Sequence, residues 1–187
     1  MSIFNQIEEY LQCPSQWRFT GSSGLSASLV LGVGFENLFL EKHGQSLHLR
    51  YTSLSGGFGV QTPASGSFST SDMDSGDILN RIYLGPLQRE ELTASDFEGF
   101  ARCVSVGAGL QGLGRSFGMY VFGTAALIAS GALTIAPPAS IASALGLANA
   151  VGFVNTTSLS SPQAGITFAI GGVEIARHTL LPTLPKR

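Results

Sequence analysis

The fold is decided by residues 24 to 60, which read GLSASLVLGVGFENLFLEKHGQSLHLRYTSLSGGFGV. Apolar side chains recur at every second position over two stretches, and this alternation is typical of β-strands. The first stretch contains Leu25, Ala27, Leu29, Leu31, Val33 and Phe35, and the second contains Leu47, Leu49 and Tyr51. Between them, His43 and Gly44 offer a turn. The sequence therefore predicts an antiparallel β-hairpin.

Glycine is frequent in and around these strands, and the whole chain of 187 residues contains 24 glycines. A glycine weakens an isolated strand and usually marks a bend, a bulge or a close approach of two backbones. We therefore expect a mainly β domain of the α+β class, with an antiparallel sheet that is curved or closed into a small barrel. A last strand is predicted at residues 165–177, because Ile166, Phe168 and Ile170 alternate there with smaller residues.

Two short helices are expected beside this sheet. Residues 3–11 carry apolar side chains at helical spacing, and Pro14 ends that pattern. Residues 95–101 begin with Ser95, Asp96, Phe97 and Glu98, which match a capping box. The first helix would pack on the body of the domain, and the alternative for it is a membrane-surface anchor.

The length of the chain favours a single domain, residues 1–187. It divides into an N-terminal segment 1–18, a glycine-rich β region 24–115 and an uncharged segment 116–173 that overlaps the last strand. The N-terminal segment has Glu8 and Glu9 where a secretory signal peptide needs an unbroken apolar run. We therefore expect synthesis in the cytoplasm without such a signal, and any export by a route independent of it.

Composition excludes two classes of protein. The chain is 44% hydrophobic and 12% charged, with a formal net charge of -2. Disordered chains need low hydrophobicity and a high net charge, and nucleic-acid-binding domains need a basic surface. We therefore expect a folded chain without a nucleic-acid partner. Cys13 and Cys103 lie outside any Cys-x-x-Cys pair, so neither a disulfide framework nor a zinc knuckle is predicted.

The sequence carries no motif of a known catalytic constellation. It has no Gly-x-Ser-x-Gly elbow and no His-Glu-x-x-His pair. Asp72, Asp74 and Asp77 resemble the start of a calcium loop, but Tyr83 occupies the position of the required bidentate Glu. These three residues are a weak metal candidate only. The expectation is a protein that is not an enzyme and holds neither a metal nor a cofactor.

The strongest functional signal is a gap in charge. No Asp, Glu, Lys or Arg occurs between Arg115 and Glu174. Within this gap, residues 117–136 and 139–154 are two mostly apolar arms joined by Pro137 and Pro138. The first arm reaches the length of about 20 residues that a membrane-spanning helix needs, and the second is slightly shorter. The pattern predicts a hydrophobic hairpin, and it leaves open whether the arms are helices or strands.

The hairpin is the predicted membrane-inserting element. Its larger apolar residues and its turn would enter the bilayer, and they are Phe117, Tyr120, Phe122, Leu127, Ile128, Leu133, Ile135, Pro137, Pro138, Ile141, Leu145, Leu147 and Phe153. An uncharged hairpin suits this role because an unpaired charge at the bilayer centre costs about 2.5–3.5 kcal/mol.

In its lack of charge this segment resembles the hydrophobic hairpin of colicin-type bacterial pore-forming toxins. The resemblance implies a secreted bacterial effector that forms pores or disrupts membranes, acts as a homo-oligomer, and has an immunity or chaperone protein as partner. It covers residues 117–154 and transfers no individual functional residue. The strands predicted at 24–60 and 165–177 depart from the all-helical pore domains of that family.

Two alternatives remain open at this stage. In the first, the apolar arms form the core of a soluble glycine-rich β-domain that binds an apolar ligand or a protein partner, or assembles with copies of itself. In the second, the chain is an outer-membrane barrel, for which alternating strands are expected. Few aromatic residues are placed to form the girdles of such a barrel.

Overall fold

The structure is a computed structural model that describes residues 13–28, 31–60, 67–69, 80–86, 88, 90–110, 113–123, 147–158 and 163–180. These residues form nine strands and one 3-10 turn at Ala94–Phe97. The strands are β1 Pro14–Ser28, β2 Leu31–Lys42, β3 Gln45–Val60, β4 Ser67–Ser69, β5 Arg81–Leu84, β6 Gly99–Leu110, β7 Leu113–Gly123, β8 Ala150–Ser158 and β9 Gln163–Leu180.

Eight of the strands close into an antiparallel barrel. Their order around the barrel is β1, β2, β3, β9, β6, β7, β8 and β5, and β5 pairs back with β1. The short β4 pairs only with β1. The prediction of a mainly β fold with a curved sheet or small barrel is therefore confirmed, and the architecture is the barrel.

The predicted hairpin is formed by β2 and β3. Its two-residue turn is His43–Gly44, with φ of 43° and 80°, and Lys42 pairs with Gln45 across it. Positive φ at both central residues gives a turn whose twist matches that of the flanking strands. The alternating run that starts at Leu25 belongs to two strands, because β1 ends at Ser28 and β2 begins at Leu31.

The barrel has two ends that differ in composition. One end, which we call the tip end, contains the β1–β2, β6–β7 and β8–β9 connections together with the end of β3 at Val60. The other, the floor end, contains the His43–Gly44 turn and the ends of β7 and β9. Antiparallel pairing around the whole barrel places these features at opposite ends.

The floor end is filled by large apolar side chains. Trp17 and Phe97 meet edge to face with centroids 5.7 Å apart, and Phe97 contacts Phe122 at 5.3 Å. The indole Nε1 of Trp17 donates to the carbonyl oxygen of Leu92 at 2.8 Å, so burial leaves this polar group paired. Each such side chain contributes about 1.5–3 kcal/mol through burial. The 3-10 turn thus closes this end of the barrel.

The predicted helix at residues 95–101 is wrong. The chain forms only the 3-10 turn, and Gly99 begins β6 with a φ of 111°. The capping contacts are real but start earlier, because Asp96 Oδ2 accepts from the Thr93 backbone N–H at 2.8 Å and from Thr93 Oγ1 at 2.7 Å. From Phe100 onward, β6 pairs with β7 on one side and β9 on the other. These two ladders outweigh the local helix signal.

The other helix prediction, at residues 3–11, lies outside the described residues. The last predicted strand, at residues 165–177, is confirmed as part of β9. Of the two apolar arms, the described parts are strands, since β7 continues to Gly123 and β8 starts at Ala150. Among the described residues, no helix has the length and apolar character needed to cross a membrane.

Candidate functional site

The barrel interior changes from apolar to polar above the floor. On β2, Leu38 and Leu40 are buried in the core, and Glu36 is the next residue of the same face toward the tip end. On β3, Tyr51 and Ser53 follow the buried Leu49 in the same way. We call the residues at this level the interior polar layer, and they are Ser22, Glu36, Tyr51, Ser53, Cys103 and Tyr120.

Glu36 is the acidic member of this layer. Its Oε2 accepts a 2.5 Å hydrogen bond from the Tyr120 hydroxyl, which reaches it from β7. Burial raises the pKa of the Glu36 carboxyl above its ordinary value, and the Tyr120 hydrogen bond partly opposes that rise. A carboxylate whose hydrogen-bond partner is neutral destabilises the folded state when it lies in the interior, because burial disfavours its charged form.

Tyr120 connects Glu36 with Cys103, whose thiol also lies within hydrogen-bond reach of the Tyr120 hydroxyl. Burial, and the nearby Glu36 carboxyl, raise the pKa of the Cys103 thiol far above its usual value. The thiolate is the reactive form of cysteine, so this environment disfavours Cys103 as a nucleophile. The same causes raise the pKa of Tyr51 and Tyr120, which remain neutral hydroxyls. This layer offers hydrogen bonds rather than a nucleophile.

At the level of the interior polar layer, the outer surface of the barrel carries large apolar side chains where polar ones are usual. Val33 is 50% exposed, Phe35 52% and Leu54 66%, although each lies within a strand that is paired on both sides. Their neighbours Gly34 and Ser53 point inward and are buried. At this height the small and polar residues lie inside the barrel and the large apolar residues lie outside.

These residues form one surface across four neighbouring strands. Val33 pairs with Leu54, which pairs with Ile170. In the adjacent row, Phe35 and Phe100 occupy the outer strands, with Thr52 and Gly172 between them. We call the set Val33, Phe35, Leu54, Phe100 and Ile170 the outer apolar face.

A polar band borders this face on its floor side. Arg50 and Glu174 are paired opposite each other, and Arg177 lies opposite His48. The His48 ring stacks on Phe39 with centroids 4.7 Å apart, and His48 Nε2 lies 2.9 Å from Asn37 Oδ1. Partial burial lowers the pKa of His48, and the positive charges of Arg50 and Arg177 lower it further.

The predicted insertion residues that the structure describes belong to the barrel wall. Tyr120 and Phe122 point into the barrel core, whereas Phe153 and Phe117 join a second apolar cluster on the outer side of β5, β7 and β8. Leu147 is half-buried next to β8. The remaining predicted insertion residues lie outside the described residues, and they are Leu127, Ile128, Leu133, Ile135, Pro137, Pro138, Ile141 and Leu145.

The weak metal candidate also lies outside the described residues, since Asp72, Asp74 and Asp77 fall in the gap before residue 80. Among the residues that are described, no group of three or more His, Cys, Asp or Glu side chains could hold a metal ion.

Sequence reasoning missed both the interior polar layer and the outer apolar face. One signal could have located Glu36, because it has the same parity as Leu38 and Leu40 and therefore shares their face of the strand. A second signal was that Val33 and Phe35 have the opposite parity. The apolar alternation changes face within β2.

Comparisons with protein-family models, with curated proteins and with solved structures find no match to this chain. The predictions drawn from the resemblance to pore-forming toxins, including secretion, oligomerisation and an immunity or chaperone partner, stay predictions.

Proposed function

We propose that this protein is a non-enzymatic membrane-interacting barrel that contacts lipid through the outer apolar face and the tip end. The observation that carries the proposal is the exposure of Val33, Phe35 and Leu54 at a level where the interior is polar. Strands that face lipid have apolar residues outside and polar residues inside, whereas strands that face water have the reverse.

The distribution of charge favours a bilayer over a protein partner. Toward the tip end, β1, β3, β6, β8 and β9 have no Asp, Glu, Lys or Arg, and in the tip halves of the described strands longer than four residues the charged residues are Arg115 on β7 and the inward-facing Glu36 on β2. The whole of β8 is 9 residues long and uncharged. A strand of about 9–11 residues matches the thickness of a hydrocarbon core.

The polar band fits the same orientation. Arg50 and Arg177 are exposed at the border of the outer apolar face, where they would meet lipid headgroups while the apolar residues contact acyl chains. Positive charges near a surface of anionic lipid contribute about 1 kcal/mol each. We therefore expect preference for anionic bilayers, reduced by Glu174 in the same band.

The proposed contact differs from insertion of residues 117–154. To leave the barrel, β7 and β8 would have to break their ladders with β6 and β5 and withdraw Tyr120 and Phe122 from the core. The outer apolar face needs no such rearrangement. Insertion of the hairpin remains a separate prediction with its own test.

The first test replaces Leu54 by Glu and measures flotation of the protein with anionic vesicles of phosphatidylglycerol and phosphatidylcholine, together with dye release at neutral and mildly acidic pH. Loss of one buried leucine side chain removes about 1.5–3 kcal/mol, so binding should fall by roughly tenfold or more. Ala176→Glu is the matched control for the added charge, because it lies at an exposed position of β9 in the polar band and should weaken binding only by an electrostatic contribution of about 1 kcal/mol, which is less than the effect of Leu54→Glu.

The outcomes separate the mechanisms. Unchanged binding of the Leu54→Glu variant would contradict contact through the outer apolar face. If binding then disappears when Ala129 and Ala144 are both replaced by Asp, the hairpin is the inserting element. If no variant or wild-type protein binds vesicles, and Leu54→Glu instead converts a dimer into a monomer, the face is an interface between two copies of the chain.

A further inference from the structure

The interior polar layer contains a negative group without a positive one. Glu36 is its only carboxylate, and none of the six residues of the layer is Lys or Arg. Lys42, on the same face of β2 at the floor end, has its Nζ 3.6 Å from Glu91 Oε1 and over the Trp17 ring. The described hydrogen bond to the Glu36 carboxyl comes from the neutral Tyr120 hydroxyl. Charged groups inside proteins are normally paired, so a bound cation would compensate the negative charge of the Glu36 carboxylate.

Two tyrosine side chains adjoin this carboxyl, since Tyr120 donates to it and Tyr51 lies opposite Glu36 in the β2–β3 ladder. The ring centroid of Tyr120 lies 6.0 Å from that of Tyr51 and 5.9 Å from that of Phe19. All three rings belong to side chains that are nearly fully buried on the inner side of the barrel. The face of an aromatic ring attracts a cation, and a carboxylate among such rings is the arrangement that recognises substituted ammonium groups.

The floor below this layer and the residues above it define where a ligand would enter. Leu38 and Leu49 are completely buried directly beneath it, whereas Glu36 is only partly buried. Toward the tip end, the described residues that continue the inner face are small, and they include Gly34 and Gly118. Entry is therefore expected from the tip end.

We propose that the interior polar layer is a binding site for a small organic cation, with Glu36 opposite the ammonium group and Tyr51 and Tyr120 against its substituents. The site is inside the barrel and the outer apolar face is outside it, so this proposal stands independently of contact with membranes.

The test measures binding by isothermal titration calorimetry with the intact protein. The probes are choline, tetramethylammonium and the uncharged isostere of choline in which a tert-butyl group replaces the trimethylammonium group. We expect choline or tetramethylammonium to bind, and the isostere to bind at least about tenfold more weakly than choline, because it lacks the charge that Glu36 and the rings recognise.

Variants then assign the binding to Glu36. Glu36→Gln keeps the size of the side chain and an acceptor for Tyr120, and it should lower choline affinity by about tenfold or more. Glu174→Gln removes an exposed carboxylate from the outside of the barrel and should leave affinity unchanged. Thermal unfolding of each variant without ligand verifies that it is folded.

Three results would overturn the proposal. The first is that neither cation binds to the folded wild-type protein. The second is that the uncharged isostere binds as tightly as choline, which would indicate a neutral cavity. The third is that the folded Glu36→Gln variant binds choline as well as the wild type does.

Discussion

At the residue scale, the Glu36 carboxylate loses part of its contact with water on folding, and its neighbours supply no positive charge in return. Its carboxyl lies among Tyr51, Cys103 and Tyr120, which are all neutral, and burial raises its pKa. Residues that serve a function are often unfavourable for stability. A substitution of Glu36 is therefore expected to change the stability of the fold and the affinity for a cation in opposite directions.

Glu36→Gln is expected to stabilise the protein at neutral pH. Burial raises the folded-state pKa of Glu36 above its ordinary value of 4.5, so the native state binds more protons than the unfolded state between those two pKa values. Stability contributed by this residue is therefore lost as pH rises through that window. The variant should gain roughly 1–3 kcal/mol at neutral pH, which is the desolvation cost of a buried polar group, and this gain should shrink as the pH falls toward 4.5.

Urea unfolding of both proteins between mildly acidic and neutral pH measures this difference. Glu174→Gln is the control, and its exposed position predicts a change within about 0.5 kcal/mol at every pH. A Glu36→Gln variant that is less stable than the wild type at neutral pH would show that the carboxylate is stabilised in the native state.

At the scale of the elements, the sequence was informative about strands and uninformative about their faces. The β2–β3 hairpin and its His43–Gly44 turn follow from alternation and turn chemistry, which are local properties. Alternation has a period of two, and it does not say which face is inside. The interior polar layer could not be read from it, because Glu36 and Tyr120 are brought together by closure of the barrel.

Helix prediction failed at residues 95–101 for a related reason. The capping box predicted at Ser95 and Glu98 forms instead between Thr93 and Asp96, and the residues that follow gain two ladders of hydrogen bonds that depend on β7 and β9. Those partners are distant in sequence. The calcium candidate and the N-terminal helix stay predictions, because they lie outside the described residues.

The glycines of the barrel are expected to differ sharply in their tolerance of alanine. A Cβ at Gly171 would overlap the Thr52 carbonyl oxygen and lie 2.6 Å from the Ser53 Cα, so β9 would have to move away from β3. A Cβ at Gly118 would meet only the edge of the Tyr120 ring at 3.4 Å and the Val154 carbonyl oxygen at 4.0 Å.

Gly171→Ala should therefore destabilise the protein by about 1–3 kcal/mol, the usual cost of overpacking. Gly118→Ala should be within about 1 kcal/mol of the wild type, because alanine also reduces the entropy of the unfolded chain. Thermal or urea unfolding measures both. Equal stability of the two variants would mean that the β3–β9 contact at Gly171 adapts without cost.

At the scale of the whole molecule, the two ends of the barrel differ in charge, as the uncharged segment of the sequence indicated. The floor end is packed with Trp17, Phe97 and Phe122 and bordered by charged residues, whereas the tip end is almost uncharged. Because large side chains fill the floor, the closed barrel offers no continuous channel through the described residues. Dye release would therefore come from disturbance of the bilayer or from rearrangement of the barrel.

A disulfide across β6 and β7 distinguishes these two routes. Val104 and Met119 are paired in the ladder on the outer side, and Cα atoms of such antiparallel partners lie about 4.5–5.5 Å apart, within the range for a disulfide. In a background with Cys13 replaced by Ser, the variant Val104→Cys and Met119→Cys would join β7 to the barrel and prevent residues 117–154 from leaving as a unit. Cys103 stays buried on the inner side of β6 and is not available to this pair.

Contact through the outer apolar face needs no separation of β7 from β6, so the oxidised variant should bind anionic vesicles as the reduced one does. Leu54→Glu in the same oxidised protein should still lower binding, because the contact and the cross-link are on different strands. Binding that is lost on oxidation and restored by a reductant would instead mean that the hairpin must leave the barrel. In that case residues 117–154 leave the barrel and insert into the bilayer, as the sequence predicts, and the closed barrel is the state before insertion.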